Sequence, residues 1–280
     1  MHPDKDQPWH CFVITLEHSQ ERRNLISARL GELGMPFEFY PGVDGRKVDL
    51  LSHQNYSKWK RRMFFGRDLS NGEFGCILAH QAIYEHIVKE NIQTALILED
   101  DAILSDELPA VVGALTQHPE NWDLVRFLGR EKNYRASRKI ARLPGTHSDL
   151  ARPHGTPGGA YGYLISHQAA RRLLSMMGKN WLPIDTLHGV SWLTKLNTVS
   201  VIPSPVLPND GVPSCIDEQD SNLRWDKSVQ LSGWRKLIYP LTRGAWKTYS
   251  NVLIKYIWFS TLRSDRRLAR RFGALAPPAL

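Results

Sequence analysis

The sequence has few cysteines and no long apolar run. Its 280 residues include three cysteines, Cys11, Cys76 and Cys215, which are far apart and form no C-x-x-C pair. This odd, scattered set argues against a disulfide framework or a zinc knuckle and is typical of a reducing compartment. The first residues contain acids and no apolar core, so we predict no signal peptide. No segment approaches the ~20 apolar residues that span a bilayer.

The positive charge is unevenly distributed along the chain. The net charge is +8, yet residues 224–280 hold 12 Lys and Arg against two acids, a net charge of +10. Residues 1–223 hold 24 basic and 26 acidic residues, a net charge of −2. A nearly neutral main part argues against nucleic acid as a partner across its surface. We therefore predict a main domain at 1–223 and a basic, aromatic C-terminal extension at 224–280.

Strand and helix patterns alternate along the main part. Short apolar segments predict strands at 10–16, 37–40, 123–127, 161–165 and 198–202. Helical spacing predicts helices at 21–33, from Ser70 onward, and at 168–177. Residues 145–159 are rich in Gly, Pro, Thr and His and predict a mobile loop. The alternation indicates an α/β fold, a Rossmann-like, mainly parallel sheet flanked by helices.

The most informative segment is A-L-I-L-E-D-D at 95–101. Four apolar residues run directly into Glu99, Asp100 and Asp101, which predicts a buried strand that surfaces at its carboxyl end. In open α/β sheets, ligands bind at that edge. Extended geometry places Glu99 and Asp101 on the same side, where a divalent cation would relieve their repulsion and bridge to a phosphate-bearing substrate. The alternative is a solvated acidic turn.

Three segments together resemble a known family. They are F-V-I-T-L at 12–16 with the following E-R-R, G-E-F-G-C-I-L-A-H at 72–80, and L-I-L-E-D-D at 96–101. In this order and spacing they resemble glycosyltransferase family 25. That family includes lipooligosaccharide β-1,4-galactosyltransferases of Gram-negative bacteria and collagen-modifying galactosyltransferases. Segments 159–166, 183–185 and 203–206 are also similar to family motifs, so the resemblance covers residues 11–215.

The resemblance implies a fold, a donor and a set of site residues. It implies a GT-A type fold, a UDP-sugar donor, a divalent Mn²⁺ or Mg²⁺ ion and inversion at the anomeric carbon. Glu99 and Asp101 would hold the metal. The residues matched to the nucleotide side are Thr15, Leu16, Arg22, Arg23, Val43, Asp44, Gly45, Glu73 and His80. For Glu73 the alternative is a helix-capping residue, and for His80 it is a packed core histidine.

Inverting transfer needs one carboxylate base to take the proton of the acceptor hydroxyl. The family match at 183–185 makes Asp185 the candidate, and its alternative role is an ordinary helix N-cap. Asp100 is a second candidate if its neighbours hold the metal. The expected reaction moves a hexose, galactose, to a lipooligosaccharide or lipopolysaccharide acceptor. The alternatives are a metal-dependent phosphodiesterase, or a membrane- or nucleic-acid-binding module.

The C-terminal extension alternates aromatic and basic residues. Such a composition predicts a helical segment that binds an anionic membrane surface. One predicted face carries Ala245, Tyr249, Val252 and Tyr256, whereas Ile254 and Trp258 lie opposite. The alternative is a helical subdomain that packs on the core. With a glycolipid acceptor, we expect a cytoplasmic protein, peripheral at the cytoplasmic face of the inner membrane.

Overall fold

A computed structural model of the protein describes residues 8–130, 136–209 and 229–272. The strands are β1 His10–Thr15, β2 Glu38–Pro41, β3 Thr94–Glu99, β4 Ile103–Leu104, β5 Leu124–Arg126, β6 Arg138–Arg142, β7 Asp149–Arg152, β8 Gly162–Ser166, β9 Thr198–Ile202 and β10 Val206–Leu207. The α-helices are α1 Gln20–Glu32, α2 Lys58–Phe65, α3 Asn71–Lys89, α4 Leu108–Thr116, α5 His167–Leu174, α6 Ile184–Gly189, α7 Ser191–Thr194, α8 Trp234–Ser260 and α9 Leu262–Arg271. The predicted boundary at 223/224 lies outside the described residues.

Eight of these strands form one mixed sheet in the order β2-β1-β3-β8-β5-β9-β7-β6. The pairings make six strands run in one direction and only β7 and β8 in the other. β4 and β10 form a separate two-stranded sheet. The α/β architecture is therefore as expected from the sequence, with an antiparallel strand, β8, inserted beside β3.

The central strand β3 has apolar layers on both of its faces. Leu96 and Leu98 pack with Leu30 of α1 and Val111 of α4, whereas Ile97 packs on the opposite side with Phe74 of α3. Because successive side chains of a strand point to opposite faces, both sides of this run are buried. The continuous apolar run therefore makes a central strand, and its charged end is the first part that reaches the surface.

Helix α3 begins where the sequence predicts. Ser70 is its N-cap and accepts a hydrogen bond from the Glu73 amide, while the Glu73 carboxylate accepts one from the Ser70 amide. This reciprocal capping box fixes the start of the helix. The following turns place Ile77, His80 and Tyr84 against the sheet, each no more than 1% exposed.

Two segments are more ordered than the sequence predicts. The loop expected at 145–159 contains β7, which pairs with β6 on one side and β9 on the other. Residues 46–67, a basic and aromatic segment whose sequence has no clean helical or strand periodicity, contain α2, which packs against α8. Both elements depend on partners distant in sequence, and local periodicity does not reveal such partners.

The C-terminal helices pack on the core along one face. Trp246 of α8 contacts Phe64 and Trp181, and Ile254 packs against the α3 side of the sheet. Phe272, just after α9, is buried in the opposite apolar layer. On this face, the C-terminal helices therefore behave as the alternative prediction described, a helical subdomain that packs on the core. No described helix combines the length and apolar character that crossing a membrane requires.

The other face of α8 carries an exposed apolar row. Its large apolar side chains are three or four residues apart, except that the small, exposed Ala245 lies midway between Leu241 and Tyr249. Each of the large side chains is more than half exposed: Trp234, Leu237, Leu241, Tyr249, Val252, Tyr256 and Phe259. Exposed basic residues lie on the same helix and on α9: Arg235, Lys236, Lys247, Lys255, Arg263, Arg266 and Arg267. We call the exposed apolar row of α8, together with the basic residues that flank it, the α8 stripe. A continuous exposed apolar surface of this kind marks an interaction site.

A buried ion-pair cluster holds α9 to the sheet. Asp265 is 5% exposed and is bonded by Arg138 of β6 and, at 2.6 Å, by Arg152 of β7. Arg152 also donates to the Asn197 side chain and the Thr198 carbonyl. Removing one partner of such a cluster leaves buried charges uncompensated.

We predict that Asp265→Asn lowers the free energy of unfolding by about 3–5 kcal/mol, the scale for breaking a buried pair. Denaturant unfolding measures this loss. The matched control is Asp106→Asn, because Asp106 pairs with Arg29 but its side chain is 91% exposed. That control should cost at most about 1 kcal/mol. Equal losses in the two variants would contradict the role of the cluster.

Candidate functional site

A pocket opens at the carboxyl ends of β1 and β3. Its volume is about 620 Å³ when the open space at its mouth is counted. The strand ends, the loop after β2 and the first half of α3 form its walls. The residues that line it are Ile14, Thr15, Leu16, Arg22, Gly42, Val43, Gly72, Cys76, Ala79, His80, Glu99, Asp100 and Asp101.

The acidic motif forms one side of this pocket. Thr15 donates a hydrogen bond of 2.7 Å to Asp100. The Arg22 guanidinium lies 3.6 Å from the Asp100 carboxylate and 3.7 Å from that of Asp101. Burial and the charge of Asp100 raise the pKa of Asp101, and Arg22 opposes that rise. The Asp100 and Asp101 carboxylates therefore repel each other, and the Arg22 guanidinium near both of them partly offsets that repulsion.

This environment fits a hard divalent cation. The oxygen ligands of Glu99 and Asp101 are of the kind that Mg²⁺ and Mn²⁺ prefer. Magnesium sites on nucleotide substrates commonly use one or two protein carboxylates together with substrate phosphates. Burial and the Asp100 charge raise the pKa of Asp101, and a nearby cation would oppose that rise. The residues present therefore fit the metal that the family resemblance implies.

Eight of the thirteen predicted site residues line the pocket: Thr15, Leu16, Arg22, Val43, His80, Glu99, Asp100 and Asp101. Sequence reasoning missed five further lining residues: Ile14, Gly42, Gly72, Cys76 and Ala79. Three of these, Gly72, Cys76 and Ala79, belong to the same motif as His80. The helical spacing of that motif was therefore the signal that could have identified them.

Four predicted site residues have structural contacts beside the pocket. Asp44 accepts hydrogen bonds from Arg46, which lower the pKa of Asp44 to about 2. A Cβ on Gly45 would lie 2.1 Å from the Asn71 carbonyl, so only glycine fits there. Glu73 makes the capping box of α3 described above. Arg23 lies over the Phe39 ring, 4.2 Å from its centroid.

Asp185 lies in the first turn of α6, and Pro183 is the N-cap residue of that helix. One carboxylate oxygen accepts from the Thr186 amide at 2.5 Å and the other from the Gly159 amide at 3.3 Å. Arg126 is 1% exposed and donates to the Gly159 carbonyl at 2.7 Å. Asp185 and Arg126 thus hold the same glycine from its two sides, which fixes the direction of the Asp185 carboxylate.

A buried chain of hydrogen bonds connects the pocket wall with α6. The His80 Nδ1 lies 2.6 Å from the Tyr163 hydroxyl, that hydroxyl lies 2.9 Å from the Tyr84 hydroxyl, and Tyr84 lies 2.7 Å from the His188 Nε2. Burial lowers the pKa of His80 to about 3 and also lowers that of His188. Both imidazoles are therefore neutral at pH 7. The sequence did not indicate this chain, because its members are distant in sequence.

Cys76 lies one helical turn before His80. Its sulfur, an imidazole nitrogen of His80 and a carboxylate oxygen of Glu99 all lie within 4.8 Å of one another. Burial raises the pKa of the Cys76 thiol, and the charges of Glu99, Asp185 and Asp101 raise it further. Ile184, next to Asp185, packs in the same apolar layer as Phe74 and Ile77 of α3, so α6 lies on the α3 side of the sheet.

The comparisons with known proteins assign the family. The model of glycosyltransferase family 25, described as an LPS biosynthesis protein, matches residues 9–188. That range includes every residue lining the pocket, together with Asp185. The chain belongs to glycosyltransferase family 25.

Named relatives agree with this assignment. Procollagen galactosyltransferase 1-B of Xenopus laevis is 28% identical over 260 residues, which cover 83% of this chain and 41% of that protein. A glycosyltransferase 25 family member of Aedes aegypti is 32% identical over 178 residues, covering 61% of this chain and 28% of the other. A probable inactive glycosyltransferase 25 family member 3 of Rattus norvegicus is 28% identical, covering 62% and 31%. The chain spans about two fifths or less of these relatives.

Proposed function

We propose that the protein is a metal-dependent glycosyltransferase that moves a hexose, galactose, from a UDP-sugar to a lipooligosaccharide or lipopolysaccharide acceptor with inversion. The observation that carries this proposal is the pocket in which Glu99, Asp100, Asp101 and Arg22 converge. The name of the Xenopus relative supports galactose, and the family description supports the acceptor. Since one relative bears the name of an inactive protein, the activity has to be argued from the site.

The donor diphosphate binds at the acidic end of the pocket in this proposal. Glu99 and Asp101 would hold Mn²⁺ or Mg²⁺, which would supply positive charge to stabilise the departing UDP. Arg22 lies within 3.7 Å of both Asp100 and Asp101, and its guanidinium would be a further cationic donor for the diphosphate. Thr15 keeps Asp100 oriented through their 2.7 Å hydrogen bond.

Asp185 acts as the general base in this proposal. Its carboxylate is held by the Gly159 and Thr186 amides, which fix the direction of its two oxygens. Asp185 accepts the proton of the acceptor hydroxyl as that oxygen attacks the anomeric carbon opposite the UDP. Asp100 is less suited to this task, because Thr15 and Arg22 already engage its oxygens.

The α8 stripe binds an anionic membrane surface in this proposal. Its apolar residues would enter the interface, and the flanking Lys and Arg would contact lipid headgroups, each worth about 1 kcal/mol. A glycolipid acceptor lies in such a surface, so attachment raises the local concentration of acceptor. The corresponding location is the cytoplasm, at the inner face of the inner membrane.

We predict that Asp101→Asn abolishes transfer while the melting temperature stays within a few degrees, because one metal ligand is lost from a surface pocket. The assay is radiolabelled or coupled turnover of a UDP-sugar with Mn²⁺. Asp106→Asn is the control, since its carboxylate is close in sequence but exposed. Turnover of Asp101→Asn near the wild-type rate would show that the metal assignment is wrong.

We predict that Asp185→Asn lowers kcat by about 10²-fold or more, the scale of lost general-base catalysis, with donor affinity unchanged. Steady-state kinetics and UDP calorimetry separate the two quantities. The control is Asp123→Asn, because Asp123 also accepts a backbone amide hydrogen bond, from Asn197 at 2.7 Å, and is absent from the pocket lining. If both variants lose activity in proportion to their stability, the role of Asp185 is structural.

We predict that Leu237→Gln with Leu241→Gln weakens binding to anionic phosphatidylglycerol vesicles by about tenfold or more, because each buried leucine contributes about 1.5 kcal/mol or more. Vesicle co-sedimentation at low salt measures this change. The control pair is Leu25→Gln with Leu51→Gln, two exposed leucines outside the stripe. Equal partition of the wild-type protein onto neutral and anionic vesicles would contradict the electrostatic part of the account.

A further inference from the structure

The pocket contains a second group of potential metal ligands. The Cys76 sulfur, a His80 ring nitrogen and a Glu99 carboxylate oxygen lie within 4.8 Å of one another. Tetrahedral zinc with such ligands keeps them roughly 3.4–3.8 Å apart, given metal–ligand distances of about 2.0–2.3 Å. Side-chain movements of about 1 Å would therefore bring the three ligand atoms within bonding distance of one ion.

His80 is already oriented as a ligand would be. Its Nδ1 is engaged by the Tyr163 hydroxyl at 2.6 Å, whereas its Nε2 is buried without any hydrogen-bond partner. The residue is 1% exposed and belongs to the pocket wall. Metal-binding histidines commonly have their second nitrogen fixed by such an outer partner. Burial also keeps the ring neutral, which leaves a nitrogen lone pair available.

The mixture of ligands favours a different cation from the one the donor requires. A thiolate and an imidazole are ligands for Zn²⁺ and related borderline-soft ions, whereas Mg²⁺ and Mn²⁺ prefer oxygen. Glu99 is common to both groups. The two cations therefore compete for one carboxylate.

We propose that the pocket binds a thiophilic divalent cation, Zn²⁺ in the first place, through Cys76, His80 Nε2 and Glu99, and that this binding inhibits the transferase by withdrawing Glu99 from the donor metal. The inhibitory part rests on the proposed function, and the binding part does not. On binding, the Cys76 S–H bond breaks and an S–Zn bond forms. The proton is released to solvent, and no group is oxidised or reduced. Water fills the fourth position.

Cobalt(II) is the probe for the site, because it replaces zinc and reports its ligands optically. Titration of the full-length, metal-free protein with Co²⁺ should produce a thiolate-to-cobalt charge-transfer band in the near ultraviolet with one equivalent bound. Zn²⁺ should then displace the cobalt and remove the band. A wild-type protein that shows no charge-transfer band overturns the proposal without reference to enzyme activity.

Cysteine variants assign the band to its sulfur. Cys76→Ser and Cys76→Ala should both lose the band and bind Co²⁺ about tenfold or more weakly, as expected when a thiolate ligand is removed. Cys11→Ser is the matched control, because Cys11 is also a free cysteine but is buried in the opposite apolar layer. It should keep the band. A band that persists in both folded Cys76 variants, checked by circular dichroism, overturns the assignment.

Turnover tests the inhibitory part separately. Zn²⁺ at concentrations that saturate the cobalt-detected site should inhibit the Mn²⁺-supported reaction, and excess Mn²⁺ should relieve the inhibition. Cys76→Ser should be at least about tenfold less sensitive to Zn²⁺. If cobalt binds but zinc does not inhibit turnover, the metal site exists, and the proposal that it competes with the donor metal is wrong. A protein without transferase activity would contradict the proposed function, and the cobalt result would still decide whether the site exists.

Discussion

Electrostatic repulsion at the end of β3 is the constraint around which the pocket is organised. The strand is buried on both faces up to Leu98, so the carboxylates that follow cannot move away from the sheet edge. The parallel pairing of Ile14 with Glu99 brings Thr15 beside them, and the first turn of α1 brings Arg22. One guanidinium thus lies beside two carboxylates that repel each other. A divalent cation that arrives with a diphosphate would supply further positive charge.

The surroundings of the pocket hold its walls close together. Helix α3 approaches the loop after β2 so tightly that a Cβ on Gly75 would lie 2.6 Å from the Val43 carbonyl. The capping box at Ser70 and Glu73 fixes the start of the same helix. On the inner side, the chain of hydrogen bonds from His80 to His188 joins α3, β8 and α6. The helix that lines the pocket is therefore bonded directly to the helix that carries Asp185.

The sequence predicted those features that depend on local pattern. The apolar run before Glu99, the capping box at Ser70 and the strand at 198–202 could be identified because their periodicity and end signals are local. β7 could not, because its pairing partners β6 and β9 make it a strand. The same reason applies within the site. Tyr163 on β8 and Arg126 on β5 make their buried hydrogen bonds because of the order of the strands in the sheet. The sequence alone does not reveal that order.

Joint binding of metal and nucleotide at the pocket is the central property that we propose for this protein. The most direct test is the melting temperature of the protein with UDP, with Mn²⁺, and with both. A ligand that binds only the folded state raises that temperature, and the rise grows with the logarithm of the ratio of free ligand concentration to Kd. We expect UDP to raise the melting temperature clearly in the presence of Mn²⁺ and little in the presence of EDTA. An equal rise with UDP under both conditions would contradict the central claim.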